Sequence, residues 1–127
     1  MNIPENLKYT KEHEWVKLEN DNIVSVGITA FAQSELGDIV FLEVETLGQT
    51  IAANEVFGTV EAVKTVSDLY LPVAGKIIEV NQNAIDSPQL LNDDPYNEGW
   101  IIKMEVTSLA DLAELLDSET YKNHIAL

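Results

Sequence analysis

The chain has no cysteine and no arginine, and apart from two histidines its only basic side chains are seven lysines. Without cysteine it can form neither a disulfide scaffold nor a thiolate metal site, so any thiol or disulfide chemistry must come from a group attached to the chain. The 22 acidic residues outnumber the lysines and give a formal net charge of −15. This charge argues strongly against a nucleic-acid partner, because phosphate neutralisation requires clustered Lys and Arg.

Long apolar runs are also absent. No segment approaches the length that spans a bilayer, and residues 1–8 lack the features of a secretory signal or a transit peptide. We therefore expect a cytoplasmic protein with no membrane partner, and the acidity favours a monomer. A length of 127 residues with 46% apolar residues fits one domain. We expect its core at about 7–107 and a C-terminal helical segment at about 108–124.

Most of the chain consists of short β-prone segments separated by turn residues, which predicts a mainly β fold. The tetrad Glu19–Asn22 should close a first hairpin, and Ile101–Val106 alternates as a half-buried strand does. The apolar run in Asp38–Glu45 predicts a strand buried on both faces. The predicted strands are Glu14–Leu18, Ile23–Ile28, Asp38–Glu45, Val56–Val63, Val66–Val73, Gly75–Val80 and Ile101–Val106.

Helices are predicted in two places. Thr29 is a suitable N-cap for a helix ending at Leu36, and Gly37 provides a C-terminal stop. Near the C-terminus, Ser108–Asp111 resembles a capping box that opens a helix through Leu116, and Ser118 should cap a last turn or two reaching Tyr121. The apolar stripe expected to pack this segment on the sheets is Leu109, Leu112, Ala113 and Leu116.

Lys64 lies between two predicted strands, at the tip of a hairpin. A lysine in this position projects from the core while the paired strands hold its base rigid, and the β-branched neighbours Val63 and Thr65 favour extended geometry. Acylation would convert the ammonium into a neutral, flexible tether. Glu61 and Asp68 flank the lysine and are candidate recognition residues for the enzyme that modifies it.

A weak internal repeat supports this placement of the hairpin. Gly48-x-x-Ile51-x-x-Asn54 recurs as Gly75-x-x-Ile78-x-x-Asn81, and Lys64 falls midway between the two segments. A β-sandwich with approximate two-fold symmetry would have a connecting hairpin at this position.

Six motifs, occurring in order, resemble those of the H protein family of the glycine cleavage system, whose members are lipoyl carriers. The resemblance runs from about Leu7 to Tyr121. The motifs are Tyr9–Val16 (YTKEHEWV), Val26–Thr29 (VGIT), Leu36–Val40 (LGDIV), Glu61–Lys64 (EAVK), Pro72–Gly75 (PVAG) and Asn92–Trp100 (NDDPYNEGW).

The resemblance implies a lipoyl/biotinyl-type barrel-sandwich hybrid with short flanking helices, one of them C-terminal. It also implies lipoate in amide linkage on Lys64 and a shuttle that is not itself an enzyme. The implied partners are a pyridoxal-phosphate glycine decarboxylase, a tetrahydrofolate-dependent aminomethyltransferase and an FAD-dependent dihydrolipoamide dehydrogenase. A lipoate ligase or an octanoyl or lipoyl transferase would attach the cofactor. The cofactor supplies the chemistry and the protein supplies orientation and shielding.

Glu14 and His13 are the residues we expect near the end of the loaded arm. An aminomethyl group bound to sulfur loses its one-carbon unit to water, so the arm should be sheltered in a cleft. Its amine is cationic when protonated, and a nearby carboxylate would hold it. We assign this role to Glu14. His13 either lines the same cleft or is an ordinary half-exposed histidine at the start of a strand.

Three alternatives remain open at this stage. Ala62 stands where the family usually has Ser, which leaves room for an H-like lipoyl protein that serves lipoyl relay or sulfur metabolism. A biotin carrier usually has methionines around its lysine, whereas Val63 and Thr65 flank Lys64 here. The third alternative is an interaction module in which the lysine is never modified. No metal site is predicted, because no His-based ligand spacing occurs.

Overall fold

The structure, a computed structural model, describes residues 1–126. These residues contain nine strands, four short α-helices and one 3₁₀ helix. The strands are β1 Lys8–Tyr9, β2 Glu14–Asn20, β3 Ile23–Ile28, β4 Ile39–Glu43, β5 Thr50–Ile51, β6 Val56–Ala62, β7 Val66–Tyr70, β8 Gly75–Val80 and β9 Ile102–Val106. The helices are α1 Ala30–Leu36, α2 Gln82–Asp86, α3 Leu90–Asp93, the 3₁₀ helix Leu109–Glu114 and α4 Ser118–His124.

The strands form two antiparallel sheets. The first has the order β1-β2-β3-β9-β8-β5, and the second has the order β4-β6-β7. Their inner faces enclose the main hydrophobic core, because alternate residues of each strand are apolar and point inward. In β9, for example, Ile102, Met104 and Val106 are buried and Glu105 is exposed, which confirms the predicted alternation.

Both predicted hairpins are present. β2 pairs with β3 so that Glu14 lies opposite Ile28, and β6 pairs with β7 so that Glu61 lies opposite Val66. The two segments of the internal repeat also meet: Ile51 of β5 lies opposite Gly75 of β8. The approximate two-fold relation inferred from the sequence therefore corresponds to an antiparallel strand pair.

β4 contradicts the prediction of a strand buried on both faces. Ile39 and Leu42 are buried, whereas Val40 and Phe41 are 53% and 50% exposed. The register with β6 shifts between Ile39 and Phe41, which identifies a β-bulge. The extra residue places two consecutive apolar side chains on the outer face of an edge strand.

Helix α1 forms as predicted. The hydroxyl of Thr29 accepts the N–H of Ala32 at 3.1 Å, satisfying a donor that the first turn cannot pair internally. Gly37 ends the helix with φ 79°, and its N–H donates to the carbonyl of Gln33 at 2.9 Å.

The segment after β9 differs from the prediction. It forms a 3₁₀ helix rather than an α-helix, and the side chain of Ser108 makes no capping hydrogen bond. Leu112 and Leu115 pack against the main core, whereas Leu109 is 49% exposed. The predicted stripe was therefore wrong in part: 3₁₀ geometry brings residues three apart onto one face, so Leu115 packs inward with Leu112, and Leu109, the first residue of the helix, lies outside this contact.

Helix α4 begins at a different cap from the one predicted. Asp117 is the N-cap, and its carboxylate accepts the N–H of Thr120 at 2.8 Å. Ser118 is buried inside the first turn instead of capping it. The helix extends past Tyr121 to His124.

A second, smaller hydrophobic cluster attaches α4 to the first sheet. It contains Tyr9, Trp15 and Tyr121, and the rings of Tyr9 and Tyr121 stack with centroids 4.7 Å apart. Trp15 is buried and its indole N–H donates to the carbonyl of Pro95 at 2.9 Å, as a core-anchoring Trp should. Within residues 1–126, no helix has the length and apolarity needed to cross a membrane.

Candidate functional site

Lys64 lies at the tip of the β6–β7 hairpin. The N–H of Ala62 donates to the carbonyl of Thr65 at 2.8 Å, so Val63 and Lys64 form the loop between the paired residues. Both loop side chains are exposed. The position matches the prediction of an amine held in solvent on a rigid base.

The loop is fixed against the end of α1. The N–H of Val63 donates to the carbonyl of Asp38 at 3.0 Å. The Lys64 side chain lies beside Gly37, since a Cβ at Gly37 would be 3.5 Å from Cε of Lys64. Gly37 is required here for its positive φ, which ends the helix, whereas a Cβ at this position would make only an ordinary contact with the lysine stem.

A cleft of about 190 Å³ begins next to this contact. Residues 12–14 form one side, Ile28 and the α1 side chains Ala32, Glu35 and Leu36 form the second, and Val60 with residues 67–69 forms the third. Leu36 directly precedes Gly37, so the stem of Lys64 and the cleft share a border. Most of the lining is apolar, and Glu12, Glu14 and Glu35 are the acidic residues contributed by the β2 side and α1.

Glu14 is the buried carboxyl group of this cleft, with a residual exposure of 2%. Its Oε1 accepts the hydroxyl of Thr10 at 2.7 Å and its Oε2 accepts the N–H of Tyr70 at 3.2 Å. β7 is an edge strand, so the N–H of Tyr70 bonds to this side chain rather than to another strand. These donors fix the orientation of the carboxyl group.

Burial raises the pKa of Glu14 from an ordinary 4.5 to about 7, although the hydrogen bonds from Thr10 and Tyr70 oppose the shift and nearby Glu12 reinforces it. The group is therefore partly ionised at neutral pH. A cation entering the cleft would favour the carboxylate form, so the site is suited to binding an ammonium group.

His13 lies beside Glu14 with φ 72°, a left-handed conformation that is uncommon outside glycine. Its Nδ1 is 2.9 Å from the hydroxyl of Tyr121, which is 2.8 Å from the hydroxyl of Thr29. Burial lowers the pKa of His13, and the nearby His124 lowers it further, against the opposing effect of Glu12 and Glu35. His13 thus lines the cleft and also connects it to α4.

Four of the five residues singled out from the sequence lie along one path. Lys64 is at the hairpin tip, and Glu14, His13 and Asp68 line the adjacent cleft. Glu61 does not reach the cleft: it lies opposite Phe41 and Val66, on the outer face of the second sheet.

Sequence reasoning missed Thr10, Ser67, Leu36 and the N–H of Tyr70. Thr10 precedes Glu14 by one helical turn's spacing but is not in a helix, so no periodic pattern identifies it. The N–H of Tyr70 is a backbone group 56 positions from Glu14, and only the fold brings the two together. Of these, only Ser67 could have been found from the sequence. It precedes Asp68 in the predicted strand after the lysine, and successive side chains of a strand point to opposite faces.

A larger cleft of about 470 Å³ lies elsewhere, between residues 9–12, residues 72–74 and the 3₁₀ helix. It contains none of the predicted site residues. The smaller cleft is the functional candidate because it adjoins Lys64 and contains the buried carboxyl group.

Comparison with known proteins identifies the family. The family model described as Glycine cleavage H-protein matches residues 7–126. The chain belongs to this family. The H protein of Bacteroides fragilis is 57% identical over 122 residues, which cover 96% of each chain. That of Chlorobium limicola is 56% identical over 126 residues, which cover 98% of each chain.

A solved structure gives the same result. The crystal structure of a glycine cleavage system H protein from Mycobacterium marinum has a TM-score of 0.90 and 40% identity, covering 98% of this chain and 100% of that one. This confirms the lipoyl-type barrel-sandwich fold. As an H protein, the chain is a lipoyl-carrying shuttle of the glycine cleavage system and not one of its catalysts.

Proposed function

We propose that Lys64 carries lipoate in amide linkage and that the cleft containing Glu14 shelters the loaded arm. The observation that carries the proposal is the shared border between the Lys64 stem, beside Gly37, and the cleft that begins at Leu36. The apolar side chains Ile28, Val60 and Leu69 suit a hydrocarbon arm. The buried carboxyl group suits the cationic end of that arm.

When attached, lipoate supplies the pair of sulfurs that accept the aminomethyl group, which this chain lacks. The chain's own residues hold and shield that group. Glu14 binds the ammonium as a carboxylate, held in position by Thr10 and the N–H of Tyr70. His13 closes one side of the cleft. Water is excluded by the apolar lining, which slows loss of the one-carbon unit.

We further propose that the chain acts as one monomeric carrier domain in the cytoplasm, with its core at about 7–107 and its C-terminal helical segment at about 108–124. The pyridoxal-phosphate decarboxylase would load the arm, the tetrahydrofolate-dependent aminomethyltransferase would unload it and the FAD-dependent dihydrolipoamide dehydrogenase would reoxidise it. The net charge of −15 supports approach to partners through basic surfaces.

The attachment is tested by intact mass after incubation with a lipoate ligase, lipoate and ATP. We expect one lipoyl increment on the wild type and none on Lys64→Ala. A biotin increment with a biotin ligase, or no increment at all, would reject the proposal. Glycine–bicarbonate exchange with the decarboxylase then separates a glycine-cleavage carrier from a carrier used only for lipoyl relay or sulfur metabolism.

The cleft is tested with Glu14→Gln, which keeps the size of the side chain and removes its charge. The loaded intermediate should lose its one-carbon unit roughly ten- to a hundredfold faster in this variant, since a lost charge-assisted bond is worth roughly 1.5–3 kcal/mol. Glu98→Gln removes an exposed carboxylate outside the cleft and is the matched control. An intermediate that survives equally long in wild type and Glu14→Gln would remove Glu14 from the proposal and leave the attachment site standing.

A further inference from the structure

An exposed apolar strip crosses the outer face of the second sheet next to Lys64. Phe41 of β4 lies opposite Glu61 of β6, which lies opposite Val66 of β7, so the three side chains form one row. Phe41 and Val66 are 50% and 61% exposed. Val40 and Val63 extend the row toward the hairpin tip, with exposures of 53% and 76%. We call the four apolar residues of this row, Val40, Phe41, Val63 and Val66, the outer strip.

The bulge in β4 creates the strip. Regular alternation would turn Phe41 to the same side as the buried Ile39, but the extra residue turns it outward. β4 is also an edge strand. An apolar edge strand is an aggregation hazard unless a partner covers it, so this exposed strip is a candidate binding surface.

Negative charge surrounds the outer strip. Two residues farther along the same face, Glu43 lies opposite Thr59, which lies opposite Asp68. Together with Glu61, these carboxylates form no ion pair within residues 1–126. β4, β6 and β7 contain no lysine, so Lys64 is the cation of this region. A partner that fits the face needs a basic surface and an apolar recess for Phe41.

The position of Nζ selects among possible partners. Amide formation requires an active site within bonding distance of Nζ of Lys64, so the acylating enzyme has to cover the surface around the hairpin tip. Partners that act on the far end of an attached arm stay separated from Nζ by the length of that arm. The cleft side of the hairpin is occupied by α1, which leaves the outer face as the free approach.

We propose that the outer strip, with Glu43 and Glu61, is the docking surface for the enzyme that acylates Lys64. This rests on the proposed function of Lys64. In the step itself, the ammonium of Lys64 first gives up one proton, and Nζ forms a bond to the acyl carbon. The bond from that carbon to the phosphate oxygen of the acyl adenylate breaks, AMP leaves, and Nζ loses a second proton. The occupant is a basic acyl-transferring enzyme with a recess for an aromatic side chain.

The test uses the full apo chain with a lipoate ligase, lipoate and ATP, and follows the initial rate by intact mass. Phe41→Ser should lower kcat/KM about tenfold, as expected for a buried aromatic anchor, and Phe41→Leu should restore most of it. Leu18→Ser removes a leucine of similar exposure, 55%, from β2 in the other sheet and should leave the rate unchanged. Circular dichroism confirms that each variant is folded.

The charge contribution is measured separately. The double variant Glu43→Gln and Glu61→Gln should slow acylation at low salt and flatten its dependence on ionic strength, since fewer charges attract the basic partner. Glu98→Gln, an exposed change elsewhere, should retain the salt dependence of the wild type. If Phe41→Ser fails to fold, the acylation rate of Val66→Thr measures how much the apolar residues of the outer strip contribute to docking.

The outcomes separate this inference from the proposed function. A wild-type chain that is never lipoylated rejects the proposed function. Wild-type lipoylation together with an unchanged rate in Phe41→Ser and the double variant rejects the docking surface alone. An unchanged rate with an altered mass in light scattering would show that the face joins copies of this chain, and it would overturn the proposal as well.

Discussion

Glu14 illustrates, at the scale of one residue, how a protein keeps a carboxyl group ready for a cation. The side chain is almost fully buried, so its charged form lacks most of its hydration. Thr10 and the N–H of Tyr70 replace only part of that hydration, and the pKa settles at about 7. The group is thus less stable as a carboxylate until an ammonium group arrives.

This raised pKa predicts a specific dependence of stability on pH. Between pH 4.5 and pH 7 the folded state binds more protons at Glu14 than the unfolded state does, so the free energy of unfolding falls as pH rises through this window. The loss amounts to about 3 kcal/mol at most, at 1.36 kcal/mol per pKa unit. Glu14→Gln removes the titration. Its stability relative to the wild type should therefore be greater at pH 8 than at pH 5.

Urea unfolding of both proteins at several pH values measures this difference directly. Glu98→Gln is a suitable control, because its carboxyl group is exposed and lies outside the cleft. Parallel curves for wild type and Glu14→Gln across pH 5–8 would show that the buried group does not titrate in this range.

At the scale of elements, the hairpins and α1 could be predicted because their signals are local. The turn residues after β2, the cap at Thr29 and the stop at Gly37 are read directly from neighbouring residues. The bulge in β4 could not be predicted, because Val40 and Phe41 are residue types that favour strands whether they face the core or the solvent. Asp117 and Ser118 are both good caps, and only the packing of Tyr121 selects the first.

The candidate site likewise has residues that the sequence predicts and contacts that it does not. Lys64 was predicted because hairpin and lysine are contiguous in the sequence, and Glu14 was predicted through the family resemblance. The contacts that make Glu14 useful come from β7, which only the closed barrel brings next to β2. The border between Gly37 and Lys64 likewise depends on how α1 ends.

Thr29 is the N-cap of α1, and α1 lines the cleft. Removing this cap should therefore affect the cleft, whereas removing the cap of α4 should not. Thr29→Ala removes the α1 cap and a buried hydrogen bond to Tyr121, so stability should fall by about 2 kcal/mol. Because α1 lines the cleft, the loaded intermediate should also decay faster. Asp117→Ala removes the α4 cap outside the cleft and should reduce stability without shortening that lifetime.

Thermal unfolding and the decay rate of the loaded arm give the two measurements. Thr29→Ser retains the hydroxyl and should behave nearly as the wild type in both. Equal decay rates in Thr29→Ala and Asp117→Ala, at matched stability, would contradict a role for α1 in sheltering the arm.

At the scale of the whole molecule, the dominant feature is unbalanced charge. The formal charge is −15, and within residues 1–126 the ion pair that forms joins the half-buried Lys122 to the exposed Glu119 at 3.9 Å. Such a pair contributes little. The carboxylates therefore repel one another across the surface, which steers the chain toward basic partners and weakens the folded state at the same time.

We therefore expect the melting temperature to rise with salt. At 0.1 M, added ions largely screen the repulsion between exposed charges that are more than about 10 Å apart. A change from 10 mM to 500 mM NaCl at pH 7.5 should raise it by a few degrees, corresponding to about 1 kcal/mol. The double variant Glu5→Lys and Glu98→Lys changes two exposed positions and makes the net charge less negative by four units. Its melting temperature should be higher at low salt and should rise less on salt addition. If wild type and double variant respond equally to salt, ion-specific effects rather than self-repulsion set the stability, and steering by net charge loses its physical basis.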